Sequence, residues 1–211
     1  MFLHRLNINL KHRKAVTDVC DPTMMKATLS KMKDQGDVGR ILYRVDISNH
    51  CPVLLVQTQN TVPIDWGILE KGYASSIESI EYLPKIKNGD TFLFDLRATP
   101  TWTPVLPNGD KNKVRMVPPG ERDLWLTTGR KGKDSKSKQA GFSVLTCESS
   151  TYGQLSGTRH NIAGTMVDFS GVLQVDDNEK FIQALGLGIG RNKGWGCGLL
   201  LIRSRADYED N

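Results

Sequence analysis

An α+β chain of two successive β-α-β-β-α-β units is what this 211-residue sequence predicts. Three observations carry the expectation. Several short segments alternate apolar and polar residues, the period of a half-buried strand. Capped segments with apolar residues three and four apart interrupt them as helices. A stretch at 99–109 with three prolines, a glycine and an asparagine divides the chain into two parts of similar pattern.

The first part opens with Phe2, His4, Leu6, Ile8 and Leu10 on one face of a strand and Arg5, Asn7 and Asn9 on the other. Asp21-Pro22 then supplies an N-cap and a first-turn proline, and Met25, Leu29 and Met32 give the following helix a core stripe. Arg40–Val45 alternates through Ile41, Tyr43 and Val45, and Val53–Val56 is a continuous apolar strand. A short helix is expected over Asp65–Lys71, and Thr91–Ala98 alternates through Phe92, Phe94, Leu96 and Ala98. Together these form a ferredoxin-like (RRM-like) unit over residues 1–98.

The second part repeats the order more loosely over residues 110–211. Lys113–Val117 reads as a strand, Glu121–Thr128 as a short helix and Phe142–Cys147 as a strand. Tyr152–Gly164 reads as the tip of a long hairpin, and Val167–Val175 alternates cleanly. A helix over Asp176–Leu187 has Asp176 as its expected N-cap, Glu179 completing a capping box, and Phe181, Ile182 and Leu185 as its stripe. Leu199–Ile202 is the last strand. Two such modules in tandem offer open sheets and a cleft, an architecture frequent among RNA binders, although fold alone does not establish function.

Composition narrows the classes. With 38% hydrophobic residues the chain can bury a core, and a net charge of +5 makes it moderately basic. The charge is concentrated at 129–140, which holds five cations and one acid. Such a loop is either a solvated insertion or half of a polyanion site. Cys20, Cys51, Cys147 and Cys197 lie far apart without a C-x-x-C pair or a histidine cluster, so free thiols are expected and a zinc site is not. The opening residues lack the apolar core of a signal peptide, and no apolar run reaches the ~18 residues that span a bilayer. A cytoplasmic protein without membrane contact is expected.

The run Gly186–Leu200 packs six glycines, two cations and Trp195 between a helix and a strand. Phosphate-binding glycine loops run the other way, from strand to helix, and seat the anion on a helix N-terminus. A nucleotide cofactor is therefore not expected. Two readings stay open. The glycines serve a tight turn packed on its neighbours, or they let a polyanion backbone approach exposed N–H groups beside Arg191 and Lys193.

The ending G-I-G-R-N-K-G-W-G-C-G-L-L is similar to the glycine-rich signature of the RAMP superfamily, and most similar to the CasE-type CRISPR endoribonucleases. Further matching segments are M-F-L-H-R-L at the start, D-P-T-M-M-K-A-T-L-S-K (Asp21–Lys31), D-W-G-I-L-E-K-G-Y-A (Asp65–Ala74), L-R-A-T-P (Leu96–Pro100) and F-S-G-V-L-Q-V (Phe169–Val175). They follow one another in family order along the whole chain. The resemblance implies a tandem ferredoxin-like fold and recognition of a CRISPR repeat RNA hairpin. It implies metal-free transesterification at the 3′ base of that hairpin, leaving a 2′,3′-cyclic phosphate, with no cofactor. It also implies that the protein keeps the crRNA and remains a subunit of type I-E Cascade beside other Cascade proteins.

The same alignment places Lys26 where family members carry a catalytic histidine, and Thr23 where they often carry a tyrosine. No histidine occurs between His12 and His50. The chemistry needs a base for the 2′-hydroxyl, charge on the phosphorane and an acid for the 5′-oxygen. A lysine at its ordinary pKa of about 10.4 is a poor base at pH 7, yet as a cation it serves the last two roles. Helical spacing gathers Thr23, Lys26, Ser30 and Lys33 in one polar sector. Lys26 and Thr23 are thus the catalytic candidates, with His12 and His160 as fallbacks. Expected RNA contacts are Ser30, Lys31, Lys33, Arg97, Lys113, Arg130, Lys131, Lys133, Arg159, His160, Gly188, Gly190, Arg191, Lys193, Gly194 and Gly196; Lys136 and Lys138 extend the basic loop. Two other readings remain: a subunit that binds the crRNA hairpin without cutting it, and a ferredoxin-like binding module outside CRISPR.

Overall fold

The computed structural model describes residues 1–36, 38–48, 51–59, 64–82, 84–104, 113–130, 133–156 and 163–204. Two four-stranded antiparallel sheets organise them. The first unit runs β1 (Phe2–Ile8), α1 (Arg13–Cys20), α2 (Pro22–Ser30), a 3-10 turn at Lys31–Gln35, β2 (Leu42–Ser48), β3 (Cys51–Thr58), a 3-10 turn at Trp66–Ile68 and β4 (Ala74–Glu81). Its strand order is β2-β3-β1-β4, the ferredoxin-like arrangement.

The second unit runs β5 (Thr91–Ala98), β6 (Thr101–Trp102), β7 (Arg115–Met116), α3 (Arg122–Leu126), α4 (Lys136–Gln139), β8 (Phe142–Ser156), β9 (Ala163–Val175), α5 (Asn178–Leu187) and β10 (Leu200–Ser204). Its order, β10-β5-β9-β8, repeats that of the first sheet. The fold is therefore a tandem of ferredoxin-like units, with one correction to their limits. Thr91–Ala98, expected to close the first unit, pairs instead with β9 and β10 and opens the second. The strand that closes the first sheet is β4, which sequence patterning does not reveal. It is a polar edge strand, exposed along nearly its whole length, and its two isoleucines stand three apart and out of register with a period of two.

Other elements depart in detail. The helix expected over 65–71 is a single 3-10 turn capped by Asp65, whose side chain accepts from the Gly67 N–H at 2.8 Å. The 113–117 strand shortens to two residues and the 121–128 helix to α3. A helix, α1, occupies 13–20 with His12 as its N-cap. The cap of α5 is Asp177, because Ser143 Oγ holds Asp176 Oδ2 at 2.5 Å; this puts Lys180 rather than Glu179 at the third position, and the capping box does not form. The hairpin tip at 157–162 lies outside the described residues.

Each sheet buries one face. Leu6, Leu54 and Val56 pack under Met25, Leu29 and Met32 of the first unit; Leu96, Phe169 and Leu173 pack under Phe181 and Leu185 of the second. Fully burying each such side chain is worth roughly 1.5–3 kcal/mol, enough to fix α2 and α5 on their sheets. Asp18, 1% exposed, pins α1 to α2. Its carboxylate takes hydrogen bonds from Lys14, from Thr28 Oγ1 at 2.7 Å and from Tyr73 OH at 2.9 Å.

Candidate active site and nucleic-acid interface

Asp21 starts α2 by accepting from the Thr23 N–H at 2.8 Å, and Pro22 occupies the first turn as the sequence requires. The helix presents Lys26 outward. The ammonium lies 4.0 Å from the centre of the Trp195 ring, which belongs to a 3-10 turn at Lys193–Trp195 inside the glycine run. Gly194 lies beside the Lys26 side chain: a Cβ there would stand 3.6 Å from Lys26 Cε, an ordinary contact. A cleft of about 430 Å³ opens here, walled by Lys26, Ser30, Lys33, Arg40, Tyr43 and Gly194. The described wall carries cations and hydroxyls but neither a carboxylate nor an imidazole.

Thr23 does not share this face. It is 8% exposed and its Oγ1 is shut in without a hydrogen-bond partner, which corrects the expectation of a hydroxyl beside the phosphate. Ser30 Oγ donates to the Lys26 carbonyl at 2.7 Å. Lys31 is exposed on the following turn and walls neither this cleft nor the next. His12 caps α1 and stands 3.5 Å from Glu70, a structural position that accounts for it without catalysis. His4 is fully buried among Ser79, Thr58 and Trp66, and burial lowers its pKa to about 4.

The glycine run is shaped first by its own closure. The Ile189 N–H donates to the Gly198 carbonyl at 2.9 Å. Gly188 and Gly198 both have positive φ, and a Cβ on either would lie 2.8 Å from the backbone oxygen opposite. Only glycine fits at that crossing. Asn192, the single described non-glycine residue with left-handed φ, ties the turn to β5 through Thr99 Oγ1 at 3.2 Å. Gly190 lies against Trp125 and Gly196 against Tyr43. Packing therefore explains three of the candidate glycines, Gly188, Gly190 and Gly196, together with Gly198, while Gly194 faces the Lys26 cleft.

Beyond the turn lies a larger cleft of about 610 Å³, with Trp102, Arg130, Lys133 and Lys136 on one wall and Arg191 and Lys193 on the other. Burial and the charges of Arg40 and Lys136 lower the pKa of Lys193; burial and Lys133 do the same for Lys136. Lys113 is exposed away from both clefts, and Lys131, Arg159 and His160 lie outside the described residues.

Arg97 belongs to a different structure. It is 4% exposed and its guanidinium is committed on several sides: to Asp168 at 2.7 and 2.9 Å, to Asp46 at 3.1 Å, to the Val45 carbonyl at 2.6 Å and to the Tyr152 ring at 3.2 Å. Expected as an RNA contact, it is instead a clamp between β5 of the second sheet and β2 of the first. Sequence inspection missed Arg40 and Tyr43 as cleft residues. A cation directly ahead of an alternating strand was the only available signal.

Paired antiparallel sheets of ferredoxin-like order, joined by a glycine-rich turn that faces Lys26, make this a tandem ferredoxin-like protein. Residues 1–204 match the model of a family described as CRISPR associated protein. The protein belongs to that family. It is 31% identical over 221 residues to the CRISPR-associated endoribonuclease Cse3 of Thermus thermophilus, covering 96% of this chain and 99% of that one. A solved structure of Cse3 bound to a 19-nucleotide RNA superposes with a TM-score of 0.80 at 28% identity, over 96% of this chain and all of that chain. Cas6e of Escherichia coli shares the fold, with a TM-score of 0.65 at 20% identity over 97% of this chain and 100% of its own. No helix among the described residues is long and apolar enough to cross a membrane, and none of them forms a cluster of three or more metal-ligating side chains.

Proposed function

We propose that this protein is a CRISPR repeat-processing endoribonuclease. It binds the repeat hairpin, cuts it once at the 3′ base in the Lys26 cleft, and stays on the crRNA as a Cascade subunit. One observation carries the reading: the Lys26 ammonium is held over Trp195 beside Gly194 in a cleft of positive charge, on the helix where the resemblance leads one to expect the catalytic group. The likeness to Cse3, named an endoribonuclease and solved with RNA, supports the substrate class.

In this cleft the RNA 2′-oxygen attacks the adjacent phosphorus, the bond to the 5′-oxygen breaks, and a 2′,3′-cyclic phosphate forms. Lys26 neutralises charge on the phosphorane and gives its proton to the departing 5′-oxygen. Ser30, Lys33 and Lys193 hold the backbone on either side. Solvent hydroxide removes the 2′ proton, since the described wall offers no imidazole or carboxylate. The rate should therefore rise with pH from 7 to 9 without a bell centred near the ordinary histidine pKa of about 6.5.

The test is single-turnover cleavage of a cognate hairpin by wild type and Lys26→Ala. A loss of about 10²–10³-fold with hairpin affinity little changed is expected, the scale of removing one transition-state donor. Equal cutting by both proteins would refute the role of Lys26. The missing imidazole favours a second reading, a hairpin-binding subunit that does not cut. Absence of any cyclic-phosphate product from wild type would establish that reading instead.

A further inference from the structure

We propose that the larger cleft seats the unpaired RNA segment immediately downstream of the cut phosphate and grips at least two of its phosphates. This rests on the RNA-processing reading above and adds to it a second subsite for single-stranded RNA. Four features of the cleft support it.

Its charge is unbalanced. Lys133 and Lys136 spend their ammonium groups on neutral acceptors, the Thr103 carbonyl at 2.9 Å and Gln139 Oε1 at 2.8 Å. Among the described residues none of the ion pairs involves Lys133, Lys136, Arg191 or Lys193. The one carboxylate in the wall, Asp134, is taken by Lys138 at 3.0 Å. Burial first, and then the neighbouring cations, lower the pKa of Lys136 and Lys193, and an anion would relieve that repulsion.

A buried donor is also waiting. The Arg130 side chain is 8% exposed; its Nε engages Glu121 and its guanidinium covers Trp102 at 4.4 Å. Its Nη1 is buried without a hydrogen-bond partner. An unsatisfied charged donor is costly, and a phosphate oxygen is the acceptor that suits an arginine fork.

Shape suits unpaired nucleotides. A concave volume of about 610 Å³ falls in the range of small-ligand pockets, roughly 300–1,000 Å³. Trp102 adds the aromatic wall that single-strand sites use.

Continuity fixes the segment. Lys193 walls this cleft and the next residue, Gly194, walls the Lys26 cleft. A strand whose phosphate lies at Lys26 passes over the turn from one into the other. Upstream of the cut that strand is paired, so the part that enters is downstream. Binding energy from this segment is then available to the substrate and leaves with the downstream product.

The test uses the full protein and hairpins with a 2′-deoxy sugar before the cut, which bind but are not cleaved. Three forms are compared by equilibrium binding: blunt, with a short unpaired 3′ tail, and with a 5′ tail. The 3′ tail should tighten wild-type binding about tenfold near 0.1 M salt and steepen the salt slope by roughly 0.7 per phosphate engaged. In Lys136→Ala the tail's gain over the same variant's blunt hairpin should fall to about threefold. A wild-type gain of nil with the blunt hairpin still bound overturns this subsite alone. So does a gain from the 5′ tail only, or an undiminished gain in Lys136→Ala. If wild type binds none of the hairpins, the RNA-processing reading falls and the subsite with it.

Discussion

The two ferredoxin-like units share a strand order but spend their crossovers differently. In the first, the β1-to-β2 crossover is a compact helix pair that places one lysine, Lys26, against the glycine turn. In the second, the corresponding β5-to-β8 crossover swells into residues 99–141, with short helices and the cations Arg130, Lys133 and Lys136. The other crossovers reverse the contrast: β3 to β4 is a single 3-10 turn in the first unit, whereas β9 to β10 carries α5 and the glycine run in the second. The glycine turn thus belongs to one enlarged connection, packs on the other at Trp125, and meets Lys26 of the first unit. One topology used twice gives a narrow cleft with one well-held ammonium and a broad cleft with many loosely paired ones. The first suits a single reacting phosphate, the second a length of chain.

That division depends on the two sheets keeping their relative position, and Arg97 holds it. Replacing it by alanine leaves Asp168 without its bidentate partner and Asp46 with Arg44 alone, both carboxylates partly buried. Breaking a buried pair on one side costs about 3–5 kcal/mol; with these carboxylates partly open to solvent, about 3 kcal/mol is expected. For a chain of this size that lowers Tm by roughly 6–12 °C in a thermal unfolding scan. Arg97→Lys should rescue only part of it, since an ammonium cannot make the bidentate contact with Asp168. A negligible shift in Arg97→Ala would mean that the units are held together elsewhere, and the comparison of coupled clefts would fail.

How far this was readable from the residues follows the same physics. Strands with one buried face, such as Thr91–Ala98 and Val167–Val175, declare themselves by alternation. The helix at Asp21-Pro22 declares itself by its cap. β4 does not, because an edge strand with both faces wet has no apolar period, and missing it moved Thr91–Ala98 into the wrong unit. The site was legible at Lys26, Lys193 and Gly194. Arg97 was misread because a cation in a strand carries no mark of the acids it will meet; Asp168 is 71 residues away and Asp46 is 51 away. Thr23 was misread because the family alignment and helical spacing give a position and a sector but not which side of it the sheet covers.

A pH experiment isolates the first unit. His4 is fully buried with its pKa lowered to about 4, whereas in the unfolded chain it titrates near 6.5. Between these values the unfolded chain binds the proton and the folded one does not. Stability is therefore complete above about pH 6.5 and is lost as pH falls toward 4. At pH 5 the loss from this one group is about 2 kcal/mol. Denaturant unfolding at pH 7 and pH 5 should show it, and His4→Gln should flatten the difference while lowering stability at pH 7. An equal pH dependence in wild type and His4→Gln would place the acid sensitivity in other groups, and the contrast between units would lose its electrostatic mark.

The smallest expected effect tests the join itself. Trp195 gives Lys26 a π-face at 4.0 Å, and at an open site that contact is worth about 0.5–1 kcal/mol. Trp195→Leu should slow single-turnover cleavage by roughly two- to fivefold, with Trp195→Phe close to wild type. Positioning predicts that the change falls on the cleavage rate while hairpin affinity stays within about twofold, because the ring holds the ammonium rather than the RNA. It also predicts that Lys26→Ala/Trp195→Leu cuts no more slowly than Lys26→Ala, since the ring acts only through the lysine. Additive losses in the double variant would mean that the ring meets the RNA directly. The narrow cleft would then share the broad cleft's mode of grip, and the distinction between the two would rest on size alone.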